Sequence, residues 1–324
     1  MTMERMRWLD GIRGILCLWI VLFHYTYRFP QIFGEGMGFP FDSGKVGVAF
    51  FFIISGYLAQ ATACKFYELG AIKWFVRKWK RLFFPYALSC VFIYCMAHLG
   101  FGGRVDLDEI NFIKSILMLP YFSPLLDGAH WYVFSLVRFY IIFLIMIKFR
   151  LNEKSWFLSL LLVLCVVHGL LKLEYGESLF SCIIPSFIEI RILMGIMIFN
   201  AVKTRKKMDV ALAVSTMLFI AYTNHWIYVP LFTLLFSLLI VGKCAFVAKI
   251  LSCRFFVGLG SLSYMLYLIH QDVGYGIMLF LIEKNVLPTF VLPYLVLLGM
   301  CFVAFLMNYG LEKAICFTRK KRCL

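Results

Sequence analysis

Long apolar runs recur along almost the whole chain, and short polar stretches separate them. Each run is long enough, or nearly so, for a helix to cross the hydrocarbon core of a bilayer. Hydrophobic residues make up 63% of the 324 residues and charged residues only 15%, which excludes an ordinary soluble domain. The runs lie at about 9–29, 46–64, 82–99, 129–147, 155–171, 179–200, 209–223, 225–241, 257–282 and 289–311. The sequence therefore predicts an all-α polytopic membrane protein with about ten transmembrane helices.

The distribution of basic residues predicts how the helices are oriented. The chain has 32 Lys and Arg against 17 Asp and Glu. With ten helices and an inner N-terminus, 23 basic residues fall on the inner side, six fall on the outer side, and Arg13, Arg138 and Arg191 lie within the membrane. Cytoplasmic loops carry such an excess. We expect both termini in the cytoplasm and a multi-pass location in the inner or plasma membrane, with no nucleic-acid partner, because topology accounts for the charge.

The apolar pattern continues from end to end without an internal repeat or a separate soluble region. We therefore expect residues 1–324 to form a single membrane-embedded domain. The eleven cysteines are scattered, mostly within apolar runs, and lack the spacing of a metal site. The sequence predicts neither disulfide bonds nor a bound metal.

The first apolar run, from Leu9 to His24, contains ionisable residues that a membrane helix seldom carries without a function. His24 lies eleven positions after Arg13, so a helix would place both side chains on one face, roughly 16 Å apart along its axis. Asp10, one turn before Arg13, could orient the guanidinium or cap the start of the helix. In a purely structural interpretation, Arg13 extends to the interface and His24 bonds a neighbouring helix.

Further ionisable residues lie within three later runs: Arg138, then Glu189 and Arg191, and finally His270. Because lipid-facing charge is costly, we expect these groups to line an internal cavity or to pair with one another. The structural alternative is an ion pair between Arg138 and Glu189 that holds the helices together. Glu189 and Arg191 are two residues apart and point in different directions on a helix, so they need separate partners.

Two other segments carry candidate binding groups. In Phe50–Tyr57, Ser55 and Gly56 permit close helix contact and a hydrogen bond between helices. The basic segment Arg77–Arg81, which we expect to be a loop before Pro85, is the densest cluster of positive charge in the chain. It is typical of an inner loop that sets topology, and it would also suit a phosphorylated ligand from the cytosol.

Taken together, these segments resemble the acyltransferase 3 family of integral-membrane acyltransferases, over nearly the whole chain. The similar motifs, in chain order, are Leu9–Gly14 followed by His24, Phe50–Leu58, Lys78–Arg81 with Pro85 and Tyr86, His130–Leu136, Ser263–His270 and Glu312. Two departures stand out. Lys78 replaces an Arg, which keeps the charge but loses the bidentate geometry, and the Glu that many members carry near His130–Leu136 is absent.

The resemblance implies ten transmembrane helices, an acyl-CoA donor that is most often acetyl-CoA, and chemistry at the His of the first helix. His24 would remove the proton from an acceptor hydroxyl as it attacks the thioester, or would itself carry the acyl group. Arg13, Lys78 and Arg81 would bind the CoA phosphates or pantetheine from the cytosol, with Asp10 orienting Arg13. Other residues expected to line the substrate cavity are Ser55, Trp131, Arg138, Glu189, Arg191, Tyr264 and His270.

The implied acceptor is a hydroxyl of a surface polysaccharide or a lipid-linked glycan, so the expected partners are acyl-CoA, this glycan and the membrane lipids. Two other classes stay open. A transporter or flippase for a glycan precursor or a small metabolite would also place charge in mid-membrane, but its usual signs, internal repeats and broken helices, are not clear in the sequence. A non-catalytic partner built on the same scaffold would tolerate the loss of His24 or Arg13, and both are present.

Overall fold

A computed structural model describes residues 6–34, 43–105, 108–118, 126–175, 189–222 and 228–321, and within those ranges every regular element is helical. The α-helices are α1 (Arg7–Phe23), α2 (Phe29–Phe33), α3 (Gly44–Ala63), α4 (Ala71–Met96), α5 (Glu109–Ile116), α6 (Trp131–Lys148), α7 (Ser155–Tyr175), α8 (Ile190–Thr204), α9 (Lys207–Ile220), α10 (Tyr228–Ile240), α11 (Ala245–Leu251), α12 (Arg254–Ile269), α13 (Gln271–Glu283) and α14 (Leu292–Lys321). π-Helical turns at His24–Arg28 and Ala97–Phe101 extend α1 and α4. Short 3₁₀ turns lie at Cys64–Phe66, Gly128–His130 and Leu151–Glu153.

Five helical stretches among the described residues are long and apolar enough to cross a membrane. They are Arg7–Phe33, Val46–Phe66, Ala71–Phe101, Gly128–Lys148 and Leu292–Ala314. Two bent pairs could each add one span: Pro230–Ile240 with Ala245–Leu251, bent by 94°, and Arg254–Ile269 with Gln271–Glu283, bent by 75°. The described part of the chain therefore has five to seven candidate spans. The molecule is a helical membrane protein, and the count of ten and the side of each terminus stay predictions.

Most of each apolar run lies in helices where the structure describes it, but two local predictions were wrong. The run at 257–282 is not one straight helix, because α12 and α13 meet at a sharp bend. The basic segment Arg77–Arg81 is not a loop, since it lies inside α4, which also contains Pro85. Lys and Arg are good helix formers, so a basic segment next to an apolar run can extend the same helix. Residues 179–188 of the sixth run lie outside the described residues.

The chain divides into two compact units. The first contains Met1–Gly47, Arg81–Trp131 and Lys249–Leu324. Within it α1 and α12 cross closely, and a Cβ on Gly260 would lie only 1.9 Å from the backbone oxygen of Asp10. Glycine is required at this crossing because the two backbones are in direct contact. The contact holds the first helix, with its ionisable side chains, against α12.

The second unit contains Val48–Lys80 and Tyr132–Ala248. Its helices α3 and α8 also cross at glycines. A Cβ on Gly56 would lie 1.9 Å from the backbone oxygen of Ile192, and a Cβ on Gly195 would lie 2.0 Å from that of Ile53. The close helix contact expected at Gly56 is therefore present. The single domain expected over residues 1–324 stays a prediction.

A buried amide network lies near one end of the same pair of helices. The side chain of Gln60 donates to Asn200 Oδ1 at 2.8 Å, and the Asn152 side chain donates to Gln60 Oε1 at 2.8 Å. Asn200 in turn donates to the backbone oxygen of Asn152 at 2.9 Å. Because buried amides are costly unless they are paired, this network favours one register between α3, α8 and the turn before α7.

Candidate functional site

The first helix carries the residues predicted to be catalytic. α1 is continuous from Arg7 to Phe23, and a π-helical turn begins at His24. Such turns are frequent at functional sites. Arg13 Nη1 lies 3.8 Å from Asp10 Oδ1, one turn away on the same helix. The N-cap position of α1 is Met6, so Asp10 contacts the guanidinium and does not cap the helix.

His24 lies beside two residues of the bent pair α12 and α13. Its Nδ1 is 3.1 Å from the phenolic oxygen of Tyr275, and its ring centroid is 5.1 Å from that of His270. The residue His24 keeps partial exposure, whereas His270 is fully buried. Of these two histidines, His24 is therefore the better candidate for contact with a substrate.

His270 occupies the junction between α12 and α13, where the chain turns by 75°. Its Nδ1 lies 2.7 Å from the backbone oxygen of Tyr267, and the Tyr25 hydroxyl donates to the His270 carbonyl at 2.6 Å. The buried Nε2 of His270 has no hydrogen-bond partner among the described residues. Because a neutral imidazole that donates from Nδ1 has its lone pair on Nε2, the second nitrogen of His270 is an available acceptor.

Two buried aspartates connect the bend to the turn that precedes α6. The backbone N–H of Asp272 donates to Asp127 Oδ2 at 3.0 Å, and the backbone N–H of Gly128 donates to Asp272 Oδ2 at 2.9 Å. Asp127 also accepts the N–H of Ala129 at 2.7 Å. Each carboxylate therefore satisfies the free N–H groups at the start of the other's helical segment. This exchange fixes the start of α13 directly after His270.

Arg104 joins the aspartates to the phenol beside His24. Its Nε donates to Asp272 Oδ1 at 2.9 Å, and its guanidinium lies 5.4 Å from the ring centroid of Tyr275. The Arg104 side chain is 40% exposed, whereas that of Asp272 is 4% exposed. In the first unit, contacts thus connect the exposed guanidinium of Arg104 to the ring of Tyr275 and, through the Tyr275 hydroxyl, to His24.

The other predicted residues of the first unit have separate surroundings. The Tyr264 hydroxyl donates to the backbone oxygen of Leu82 at 3.0 Å, a contact that packs α12 against the segment around Leu82. Trp131 begins α6 and is half-buried. Arg81 lies on α4 and is exposed, so it is free to meet a ligand in solution.

The second unit holds the remaining predicted residues. Arg138 forms an ion pair with the fully buried Glu189, which is the structural alternative that the sequence left open. Arg191 is half-buried near the start of α8. The Ser55 hydroxyl lies 3.0 Å from that of Tyr132, and Lys78 Nζ lies 5.6 Å from the ring centroid of Trp74.

Comparison with known protein families decides the class of this molecule. Residues 6–309 match the model of the acyltransferase 3 family, whose description is an acyltransferase domain. The chain belongs to this family. The resemblance inferred from the motifs is confirmed, and with the apolar helices it makes the molecule a membrane acyltransferase. Neither the comparison with curated proteins nor that with solved structures found a match.

Sequence reasoning did not find all the groups that surround His24 in this acyltransferase. It missed Tyr275, and it missed the set formed by Asp127, Asp272 and Arg104. The polar pair Gln271–Asp272 directly after His270 was a usable signal, because two such residues interrupt an otherwise apolar run. Tyr275 gave no signal, since an aromatic residue in an apolar run is usually part of the packing.

Proposed function

We propose that this acyltransferase transfers an acetyl group from acetyl-CoA to a hydroxyl of a surface polysaccharide or a lipid-linked glycan, in the inner or plasma membrane. The proposal is supported chiefly by the surroundings of His24. It is a partly exposed imidazole on the family's first-helix motif, and its Nδ1 contacts the Tyr275 phenol. A base that is oriented through one ring nitrogen and open at the other suits acyl transfer to a hydroxyl.

In this mechanism Nδ1–H of His24 donates to the Tyr275 oxygen, so that Nε2 holds the lone pair. Nε2 removes the proton of the acceptor hydroxyl while its oxygen attacks the thioester carbonyl. The carbon–sulfur bond then breaks, and the proton passes from His24 to the leaving CoA thiolate. The products are an acetyl ester, free CoA thiol and neutral His24.

The donor would bind through the cationic residues of the inner layer. Arg13 lies eleven residues before His24 on the same helix, a separation of roughly 16 Å that an extended pantetheine arm can bridge. Arg81 is exposed on α4, and Lys78 lies one turn before it. We assign the CoA phosphates to these three residues, with Arg13 oriented by its contact with Asp10 at 3.8 Å.

The direct test follows radiolabelled acetyl from acetyl-CoA into the glycan and lipid fractions of membranes that contain the protein. His24→Ala is compared with the native chain and with His98→Ala at matched protein levels. His98 is the matched control because it is exposed and its Nδ1 contacts only the backbone oxygen of Tyr94 among the described residues. We expect His24→Ala to abolish labelling and His98→Ala to retain it. Equal labelling by all three proteins would remove His24 as the base.

Transport of a glycan precursor is the second candidate, because the two bent helix pairs match a feature of transporters. The same experiment separates the two candidates. A transporter would leave acetyl-CoA unconsumed and give no labelled fraction, while uptake of the glycan precursor into membrane vesicles would depend on the protein.

A further inference from the structure

The second unit contains an apolar groove of about 620 Å³ between α8, α9 and α10. This volume is within the range of small-molecule sites. Its lining side chains are apolar except for Arg205, Thr233 and Ser237. The small residues Ala201 and Ala213 leave the space open. None of the residues that line it belongs to the first unit, which contains His24.

The extent of the groove matches one leaflet of a bilayer. Along α10 and the residue after it, the lining residues run from Pro230 to Val241, a rise of eleven steps or about 16 Å. Half of the hydrocarbon core of a membrane is roughly 15 Å thick. Two lining side chains, Leu231 and Leu234, are 61% and 57% exposed in the protein alone, so lipid chains would cover them in a membrane.

A single cation marks one end of this groove. Arg205 directly follows the last residue of α8, is exposed, and lines the groove where α8 ends and α9 begins. Its φ of 56° is left-handed, a conformation that usually selects glycine at this position of a helix terminus. An arginine there places a guanidinium, which binds phosphate through several N–H groups, at the mouth of an apolar groove.

We propose that this groove binds one anionic phospholipid, with an acyl chain along α9 and α10 and the phosphate on Arg205. The match in length selects a chain that spans one leaflet, and the guanidinium selects an anionic head group over a zwitterionic one. Neighbouring Lys206 and Lys207 are also exposed cations, but they do not line the groove.

The test purifies the full-length protein in mild detergent and adds equimolar phosphatidylglycerol and phosphatidylcholine. Native mass spectrometry then counts the lipids that stay bound. We expect one phosphatidylglycerol to be retained, with phosphatidylcholine retained about tenfold less. Arg205→Gln should reduce the retained phosphatidylglycerol about tenfold, which corresponds to about 1.4 kcal/mol of binding free energy, because it removes a charge-assisted phosphate contact.

Two matched controls make the result specific. Lys206→Gln removes the same charge from the adjacent residue and should leave retention unchanged. Ala213→Phe fills the groove and should abolish retention, whereas Ala245→Phe, at an exposed alanine outside the groove, should not. Circular dichroism and size-exclusion profiles check that each variant is folded.

Four outcomes would overturn the proposal. Equal losses in Arg205→Gln and Lys206→Gln would show diffuse attraction to the basic segment. Retention by a folded Ala213→Phe variant would place the lipid elsewhere. Equal retention of both phospholipids would show that Arg205 does not select an anionic head group. Displacement of phosphatidylglycerol by equimolar palmitoyl-CoA would assign the groove to another ligand. None of these measurements depends on acetyl transfer, so they stand apart from the proposed function.

Discussion

At the scale of single residues, the two neighbouring histidines have different surroundings, and these suit different roles. His24 is partly exposed and contacts a phenol through Nδ1, whereas His270 is fully buried and contacts a backbone oxygen through Nδ1. A group that exchanges a proton with a substrate must be reachable. We therefore assign the base to His24 because it is the more exposed of the two histidines. Tyr275 is then the residue that orients the His24 ring.

Replacing Tyr275 with Phe tests this orientation. The variant loses the hydroxyl that lies 3.1 Å from His24 Nδ1 and keeps the ring. We expect the initial rate of acetyl transfer to fall about tenfold, the effect of losing about 1.4 kcal/mol of transition-state stabilisation. The control is Tyr67→Phe, which loses the hydrogen bond that its hydroxyl accepts from the Asn152 side chain at 2.7 Å and should lower thermal stability but retain the rate. Equal rates in native protein and Tyr275→Phe would contradict the role of the phenol.

The ion pair in the second unit gives a prediction about stability. Glu189→Gln leaves the positive charge of Arg138 without its carboxylate partner, and breaking such a buried pair costs about 3–5 kcal/mol. We expect a marked fall in the denaturation midpoint in detergent. The double variant Arg138→Met with Glu189→Met removes both charges and should recover most of the loss. A double variant that is no more stable than Glu189→Gln would show that the loss of stability does not come from the charge of Arg138 left without its carboxylate partner.

At the scale of helices, close crossings hold each unit together. The crossing of α3 and α8 in the second unit has Gly56 and Gly195 on the two contacting faces. Gly56→Ala or Gly195→Ala would force the backbones apart and should cost about 1–3 kcal/mol or more. Gly258→Ala is the control, because no atom of another segment among the described residues lies within 4 Å of its added Cβ, and alanine in a helix is favoured over glycine. Unfolding curves in detergent should rank the crossing variants well below this control.

The bend between α12 and α13 depends on the exchange of hydrogen bonds by the two aspartates. Asp272→Asn weakens its bonds to Gly128 and Arg104, and we expect a loss of about 1–3 kcal/mol together with slower acetyl transfer. Asp108→Asn is the matched control. Asp108 caps α5 by accepting the N–H of Asn111, and asparagine caps as well as aspartate does. If both variants behave like the native protein, the carboxylate of Asp272 does not hold the bend.

The same elements show what the sequence could predict. Apolar runs predicted helices because each segment in lipid must satisfy its own backbone hydrogen bonds, and the motif at Gly56 predicted a close crossing. The bend at His270 was missed, since the length of the 257–282 run fitted one straight span. The contact between His24 and Tyr275 joins residues 251 positions apart in the chain, and spacing alone gives no information about it. The Arg138–Glu189 pair was foreseeable as one alternative, because buried charges need partners.

At the scale of the whole molecule, the number of spans decides where the termini lie. Ten spans place both termini on one side, whereas five or seven place them on opposite sides. The distribution of 23 inner and six outer basic residues favours the even number. We therefore expect epitope tags at the N-terminus and after Leu324 to bind antibody in right-side-out vesicles only after detergent is added. A tag inserted after Asn285, between α13 and α14, should bind without detergent and serves as the control for access. If one terminal tag is accessible in sealed vesicles and the other is not, the span count is odd and the bent pairs need a new topological assignment.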